Sequence, residues 1–218
     1  MLTVKNKQPM KKLVAYILIA AITGLVGYNS VYFKKLSDVR NSSVEKFDAV
    51  TFSKQLWSEK MPQKLDSAVD LAVLINAVTA DKEAALNNYS NALGIGNYRY
   101  ALIKTQATVT AVNEDELLIQ ISVSDSALNA VLATEYIYGN AIRDASALVD
   151  LKDFSNTSDL NSISEELNKT VRTTVLPIFR KSVKKGDKLK ITAAVELNKE
   201  HIKWNGLELL PLRLQIVN

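Results

Sequence analysis

The sequence predicts an α+β protein with an N-terminal membrane helix, a helical lead segment, and then OB-like small β-barrel elements with an intervening helix. Three observations carry this prediction. An aliphatic run at 13–26 follows a lysine-rich start, and apolar residues recur at helical spacing through much of 47–77. Alternating segments at 117–123 and 189–197 then flank a second helical pattern at 160–175. Strand-rich stretches separated by a helix are typical of α+β folds and of small OB-type barrels.

The positive charge of the chain is concentrated at its N-terminus. The formal net charge is +4, but residues 1–35 hold six lysines and no acid, which leaves 21 cations against 23 anions beyond them. A near-neutral remainder does not predict nucleic acid as a partner, because nucleic-acid affinity depends on neutralising phosphates. Cysteine is absent, which excludes disulfides, thiolate metal sites and a cysteine nucleophile.

The first predicted element is a signal-anchor helix. The fourteen residues 13–26 match the apolar core of a signal peptide, whereas extension to Phe33 gives 21 residues. Such a helix is about 31 Å long, enough to span a bilayer. Aromatic residues followed by lysines predict a membrane-interface anchor made of Tyr28, Tyr32, Phe33, Lys34 and Lys35.

The lysine-rich start predicts the orientation of this helix. Lysines favour the cytoplasmic side, so we expect a single-pass membrane protein with its N-terminus in the cytoplasm and its folded part on the outer side of the membrane. Cleavage of the segment as a signal peptide stays open as the alternative. The stretch GLVGY at 24–28 resembles the end of a lipoprotein signal, but Tyr28 stands where the lipidated cysteine belongs. The sequence therefore predicts no lipidation.

The rest of the chain divides by composition and periodicity. We predict a cytoplasmic tail and signal-anchor helix at 1–35, a polar linker at 36–46, a helical segment at 47–92, a first β-rich, OB-like part at 93–150, and a helix with a second β-rich part at 151–218.

Within the helical segment, a first helix is predicted to be interrupted at Pro62. A second helix is predicted to run from Gln63 to Ala77, and the stretch at 81–89 adds a third. The later helix around 159–176 shows Ser162 followed by Glu165, the pattern of a capping box.

Several strands follow from alternation. A hairpin is predicted around 113–116, and VLATEYIYG at 131–139 predicts another strand. The final stretch changes phase at Leu210-Pro211, which predicts a β-bulge there.

Four stretches resemble a bacterial family of predicted periplasmic lipoproteins of unknown function: FDAVTFSKQLWSEKMP at 47–62, GNAIRDA at 139–145, DFSNTSDLNSISEELN at 153–168, and the closing LELLPLRLQIV. The resemblance covers most of residues 34–218. It implies export, a partly OB-like fold, and a lipidated cysteine, from which this chain departs at Tyr28. Genes of that family often lie beside ribose-type sugar ABC-transporter genes, so the resemblance also implies transporter components or their binding protein as partners.

The stretch at 139–145 supplies the candidate ligand or partner residues Asn140, Arg143 and Asp144. Arginine and aspartate at a strand end offer directional hydrogen bonds that a sugar hydroxyl could use. The alternative is that these side chains tie loops together or bond backbone groups, and it is the stronger interpretation.

The remaining candidates favour structural roles. Trp57 and Trp204 could stack on a sugar ring, but a lone tryptophan in an amphipathic helix is more often part of the core. The single histidine, His201, has no partners at metal-site or catalytic-triad spacing. A cationic run around Gly186 predicts a solvated turn, with anionic lipid headgroups as the alternative contact; its members are Arg180, Lys181, Lys184, Lys185, Lys188 and Lys190.

The sequence thus predicts a membrane-anchored accessory or binding protein without catalytic residues, metal or cofactor. The resemblance adds an association with a sugar ABC import system. The alternative is an exported enzyme that acts on carbohydrate or envelope polymer; such an enzyme should show a deep pocket with convergent carboxylates or histidine.

Overall fold

The computed structural model describes residues 8–30, 47–123, 126–154 and 156–217. The chain divides into two units, Met1–Lys46 and Phe47–Asn218. In its described part, the first unit contains helix α1 (Gln8–Ser30). Among the helices that the structure describes, none combines the length and the apolar character needed to cross a membrane.

Two hydroxyl side chains in the second half of α1 bond to the helix backbone. The hydroxyls of Thr23 and Ser30 donate to the carbonyl oxygens four residues before them, at 2.7 and 2.6 Å. The side chain of Tyr28 is exposed. The other predicted interface residues lie outside the described residues; they are Tyr32, Phe33, Lys34 and Lys35. The predicted linker at 36–46 also lies outside them.

The second unit opens with a helix that begins at a capped N-terminus. The Asp48 carboxylate accepts the backbone N–H groups of Val50 and Thr51 at 3.0 and 3.1 Å, which satisfies two donors that a helix start leaves free. Helix α2 (Ala49–Gln55) passes into a π-helical turn (Leu56–Lys60) and then into α3 (Met61–Asp66).

Two helical segments of this unit contain a π-helical turn that ends two residues before a proline. Pro62 follows the turn Leu56–Lys60, and Pro177 follows the turn Val171–Val175. A proline ring collides with the carbonyl four residues earlier in a regular α-helix, and the wider π turn makes room for it. Pro62 is therefore accommodated within the helix, and the predicted interruption there is wrong.

The predicted helix from Gln63 to Ala77 is also wrong as one element. It is divided by the short strand β1 (Val69–Asp70), after which α4 (Leu71–Ala80) and α5 (Lys82–Tyr89) follow. Asp70 and Asp81 begin these helices, since each carboxylate accepts a backbone N–H two or three residues later.

The strands form one sheet in which the last strand in spatial order also pairs with the second, so that five strands make a ring. The remaining strands are β2 (Tyr98–Val112), β3 (Glu116–Val123), β4 (Ser126–Ala133), β5 (Lys188–Asn198) and β6 (Leu207–Val217). Their order is β1-β2-β3-β4-β6-β5, and β5 also pairs with β2. Each of the five long strands therefore has two long neighbours to which it is hydrogen-bonded, and β2 has β1 as a third partner. The pairs β4–β6 and β1–β2 are parallel and the other pairs are antiparallel.

The first hydrophobic core fills the interior of this ring of strands. Period-2 alternation sends one face inward, and the residues predicted to be buried in β3 and β5 are buried, which confirms both patterns. They include Ile119, Ile121, Leu189, Ile191 and Val195. Helices α4 and α5 cover part of this core through Leu71, Leu74 and Leu86.

A second core lies between the outside of the sheet and the remaining helices. These helices are the α2–α3 segment, α6 (Ala141–Ser146), α7 (Thr157–Thr170) and α8 (Leu176–Arg180). The predicted apolar face of α7 is confirmed, since Leu160, Ile163 and Leu167 are buried there. Phe47, Phe52 and Phe154 pack together beside this core at centroid distances of 5.3–5.7 Å, and Phe154 meets the other two rings edge-on.

Three local predictions need correction. The stretch 131–139 is a strand only as far as Ala133, because the following residues turn back. Helix α7 is capped by Asn156, whose side chain accepts the Asp159 N–H at 2.9 Å, and not by a box at Ser162 and Glu165. The phase change in β6 is a bulge, as predicted, but the extra residue is Leu212, between the partners of Thr192 and Ala193.

Candidate functional site

A cleft of about 300 Å³ opens where the turn after β4 meets the outer faces of β5 and β6. Two tyrosines provide aromatic surface and two carboxylates provide hydrogen-bond acceptors. Its lining consists of Tyr136, Tyr138, Gly139, Asn140, Ala141, Glu196, Glu208 and Leu210. Its volume is at the lower end of the range for small-molecule sites.

The two tyrosines stand side by side on the turn after β4. Tyr136 and Tyr138 are 61% and 58% exposed, whereas Ile137 between them is fully buried and fixes the turn to the second core. Their ring centroids lie 6.4 Å apart with an interplanar angle of 33°. Exposed aromatic faces in one row form a platform on which a flat apolar surface can stack.

The turn is held by backbone and arginine contacts. The N–H groups of Thr134 and Glu135 both donate to the Asp115 carbonyl, at 3.0 and 3.1 Å. Gly139 has a φ of 77°, a left-handed conformation that favours glycine, and it directs the chain into α6. The platform is therefore a defined surface.

Arg172 supports the platform from the π-helical turn that follows α7. Its guanidinium lies over the Tyr138 ring, with Cζ 5.1 Å from the ring centroid, and it donates to the Ile137 carbonyl. Glu165 accepts from the same guanidinium at 2.6 Å. Arg172 thereby fixes both the backbone and the ring beside the cleft.

The carboxylates reach the cleft from two strands. Glu196 in β5 pairs with Tyr100 across to β2, and Glu208 in β6 pairs with Val131 across to β4. Both glutamates are exposed. Carboxylate oxygens accept hydrogen bonds, so the cleft offers acceptors beside its aromatic faces.

Tyr100 lies behind the cleft and stays protonated. Burial raises the pKa of its phenol, the negative charge of Glu196 also raises it, and the contact with Asn140 opposes these effects. The Tyr100 hydroxyl donates to Asn140 Oδ1 over a long 3.5 Å. Its one O–H points to Asn140, so this phenol restrains the Asn140 side chain from behind the cleft.

The three sequence-predicted site residues are bonded to one another, and one of them reaches the cleft. Asn140 lines it and donates from Nδ2 to Asp144 Oδ2 at 2.6 Å. Asp144 Oδ1 accepts from Arg143 Nε at 2.7 Å, and these two side chains are 2% and 7% exposed. Arg143 also donates to the Leu160 carbonyl at 3.0 Å, which ties α6 to α7.

This buried pair orients Asn140 from behind. Asn91 donates from Nδ2 to the Asp144 carbonyl at 2.9 Å, and Asn168 donates to the Gly139 carbonyl at 2.9 Å. Every one of these bonds restrains the 139–145 stretch. Arg143 and Asp144 therefore act on the cleft through Asn140, with no exposed surface of their own to offer a ligand.

The other sequence candidates lie elsewhere. Trp57 packs partly buried on the second core and Trp204 on the first. His201 is exposed in the turn between β5 and β6. Within residues 47–123, 126–154 and 156–217, no three histidine or carboxylate side chains gather as a metal site would require.

Sequence reasoning missed five residues of the site: Tyr136, Tyr138, Arg172, Glu196 and Glu208. A signal for two of them was present, because the tyrosines flank an isoleucine and strand-like alternation would expose both rings. Glu196 lies within a strand whose other face was identified, so its exposure followed as well. No local pattern indicates that these residues meet.

Comparison with known proteins places the chain in a family. The model of the family described as "Predicted periplasmic lipoprotein (DUF2291)" matches residues 21–215. The chain belongs to this family. The resemblance recognised in the sequence is thereby confirmed, although the family description assigns no function and names no transporter. No curated protein matches the chain.

A solved structure confirms the fold. The chain is similar to the crystal structure of an OB-fold protein from Thermotoga maritima, with 25% sequence identity and a TM-score of 0.68. The similarity covers 78% of this chain and 99% of the other. The predicted α+β class with OB-like strands and an intervening helix is therefore correct.

Proposed function

We propose that this chain is a non-enzymatic accessory protein, held at the outer face of the cytoplasmic membrane, that binds a polyhydroxylated ligand and works with a sugar ABC importer. The observation that carries the ligand class is the row of Tyr136 and Tyr138 beside Asn140, Glu196 and Glu208. Sugar rings present C–H faces that stack on aromatic rings, and hydroxyl edges that donate to carboxylates and amides. The importer partner rests on the resemblance described above.

The proposed membrane attachment is a single pass with the N-terminus in the cytoplasm. Its support is the lysine flank of residues 1–12 and the apolar run that follows. A reporter that is active only in the periplasm, fused after Asn218, should be active. A reporter that is active only in the cytoplasm should be silent at the same site, and the reverse pattern would contradict the topology.

Ligand binding is tested by calorimetry with the full-length chain in detergent and a panel of pentoses and hexoses. Tyr136→Ala and Tyr138→Ala should each weaken binding by up to about tenfold, the range of one aromatic contact. Tyr98→Ala is the matched control, because Tyr98 is a half-exposed tyrosine outside the cleft lining. Equal affinities for all four chains, or no binding of any sugar, would contradict the proposed ligand class.

The alternative is an exported enzyme acting on carbohydrate or envelope polymer. The observation that favours it is the pair of carboxylates in the cleft, since glycoside hydrolysis uses two such groups. Incubation of the wild-type chain and of a Glu196→Gln/Glu208→Gln variant with oligosaccharides separates the two functions. A binding protein releases every ligand unchanged, whereas turnover by the wild type that disappears in the variant would establish the enzyme.

Partners are identified by cross-linking. Membranes containing the tagged chain are treated with a lysine-reactive cross-linker before purification. Importer subunits or a sugar-binding protein should be enriched, relative to a tagged unrelated membrane protein. Enrichment of neither would contradict the importer association while leaving sugar binding separately measurable.

A further inference from the structure

A surface of five lysines lies at the end of β5 that is remote from the cleft. It consists of Lys181, Lys184, Lys185, Lys188 and Lys190, and we refer to it as the lysine surface. All five side chains are exposed. Lys188 begins β5 and Glu196 of the cleft is eight residues further on, so the two features are about 26 Å apart along the strand.

The backbone beneath the lysine surface is fixed. Gly186 has a φ of 95° and its N–H donates to the Val109 carbonyl at 2.8 Å, while the Val109 N–H donates to the Asp187 carbonyl at 2.9 Å. These two bonds attach the turn to β2. The lysines are thus presented at defined positions, unlike those of a disordered basic tail.

Strand alternation directs two of the lysines outward. Lys188 and Lys190 alternate with Leu189 and Ile191, which are buried in the first core. On the neighbouring strand β2, Lys190 pairs with Gln106, an uncharged residue. The outer face at this end of the sheet therefore adds positive charge to that of the turn.

The positive charge of the lysine surface is not neutralised by neighbouring acids. None of its five ammonium groups takes part in an ion pair among the described residues. The turn contains one carboxylate, Asp187, whose Oδ2 accepts the Lys184 backbone N–H at 2.8 Å. By contrast, the adjacent Arg180 is paired with Glu135 at 2.6 Å. Five unpaired cations with one acid among them attract an anionic partner.

We propose that the lysine surface binds anionic phospholipid headgroups. Each lysine close to an anionic membrane adds attraction that is additive over a cluster and falls off within a Debye length. The chain belongs to a family of membrane-attached periplasmic proteins, so a lipid surface is the anion that its folded part meets. Nucleic acid is disfavoured because β5, from Lys188 to Asn198, offers no aromatic side chain for base stacking.

Lysine reactivity in nanodiscs tests this proposal. The full-length chain is assembled with discs of phosphatidylcholine alone or with phosphatidylglycerol added, and exposed lysines are acetylated and quantified by mass spectrometry. Lys184, Lys185 and Lys188 should be acetylated about fivefold less on the anionic discs. Lys199 and Lys203, at the other end of β5, serve as internal controls and should react equally on both.

Charge reversal and added salt provide a second test of lipid binding by the lysine surface. Lys184→Glu/Lys185→Glu should abolish the protection of Lys188, whereas Lys199→Glu/Lys203→Glu, with the same change of charge, should leave it intact. About 1 M salt should remove the protection, because it reduces the Debye length to about 3 Å. Equal acetylation on the two kinds of disc would overturn the proposal. Protection by an added oligonucleotide but not by anionic lipid would assign the surface to a soluble polyanion instead.

Discussion

The guanidinium of Arg172 lies over the ring of Tyr138, with Cζ 5.1 Å from the ring centroid. The same side chain donates to the Ile137 carbonyl and pairs with Glu165. It reaches this position from the π-helical turn Val171–Val175, which precedes Pro177. A helix irregularity required by a proline thus provides the arginine that braces the tyrosine platform.

Replacement of Arg172 should therefore weaken the site as well as the fold. We expect Arg172→Ala to lower the free energy of unfolding by about 1–2 kcal/mol, since a partly buried cation–π contact and charged hydrogen bonds are lost. Arg172→Lys should recover only part of this, because lysine lacks the planar fork. Urea denaturation measures the effect. Lys169→Ala, which removes an exposed pair with Glu166 one turn earlier, is the control and should be neutral.

The buried pair behind Asn140 should matter more for stability. Arg143→Ala leaves the Asp144 carboxylate buried without its cation, and it removes one of the two side-chain donors to the Leu160 carbonyl. Loss of one partner from a buried pair costs about 3–5 kcal/mol, and chemical denaturation should show a shift of this size. Lys152→Ala breaks the exposed pair with Asp150 and should leave the midpoint unchanged. An unaltered midpoint for Arg143→Ala, accompanied by lost ligand binding, would contradict the structural role.

Local sequence patterns predicted some elements of the fold and not others. The inward faces of β3 and β5 were predictable, because strict alternation is a local signal with a period fixed by backbone geometry. Two predictions in the helical segment were wrong, because the break at Asp70 was not predicted and the interruption predicted at Pro62 does not occur. At Asp70 a local carboxylate cap prevails over continuing apolar periodicity, and at Pro62 a π turn accommodates the ring.

The site was less predictable than the fold because its residues meet only through tertiary structure. The 139–145 stretch was predicted as a ligand site because Arg143 and Asp144 are adjacent at a strand end, yet both are buried, and the nearby Tyr136 and Tyr138 form the exposed platform. Glu196 and Glu208 arrive from strands that follow the intervening helix. No spacing within the sequence encodes that meeting.

The stretches that carry the family resemblance indicate the fold for a structural reason. Residues from 47–62, 139–145 and 153–168 all contribute to the second core. Phe47 of the first stretch packs on Phe154 of the third at 5.3 Å. These stretches therefore identify how the helices pack on the sheet, which is why they indicate the fold without indicating a reaction.

Alkaline pH should reveal the protonated phenol of Tyr100. Its pKa is raised in the folded chain by burial and by the charge of Glu196, so the folded state holds its proton more tightly than the unfolded state does. The associated stability is fully present below the unfolded pKa, about 10, and is lost as pH rises through the higher folded pKa. We expect the unfolding free energy of the wild type to fall more steeply above about pH 10 than that of Tyr100→Phe. Parallel pH profiles from urea titrations would contradict this assignment.

Tyr28 stands where the family relation implies a lipidated cysteine. The chain contains no thiol, so it cannot carry the diacylglycerol of a lipoprotein. We expect it to incorporate no labelled fatty acid, to retain residues 1–33, and to stay with the membrane fraction in salt and carbonate while detergent releases it. The two acyl chains of a diacylglycerol and an inserted helix both give stable attachment, so extraction separates anchored from loosely bound protein, and the fatty-acid label reports which anchor operates. Tyr28→Cys tests the relation directly, since labelled fatty acid on this variant alone would show that the position is still read as a lipidation site. N-terminal sequencing of the membrane-bound chain completes the test, and a mature start between Gly24 and Lys35 would rule out a retained helix.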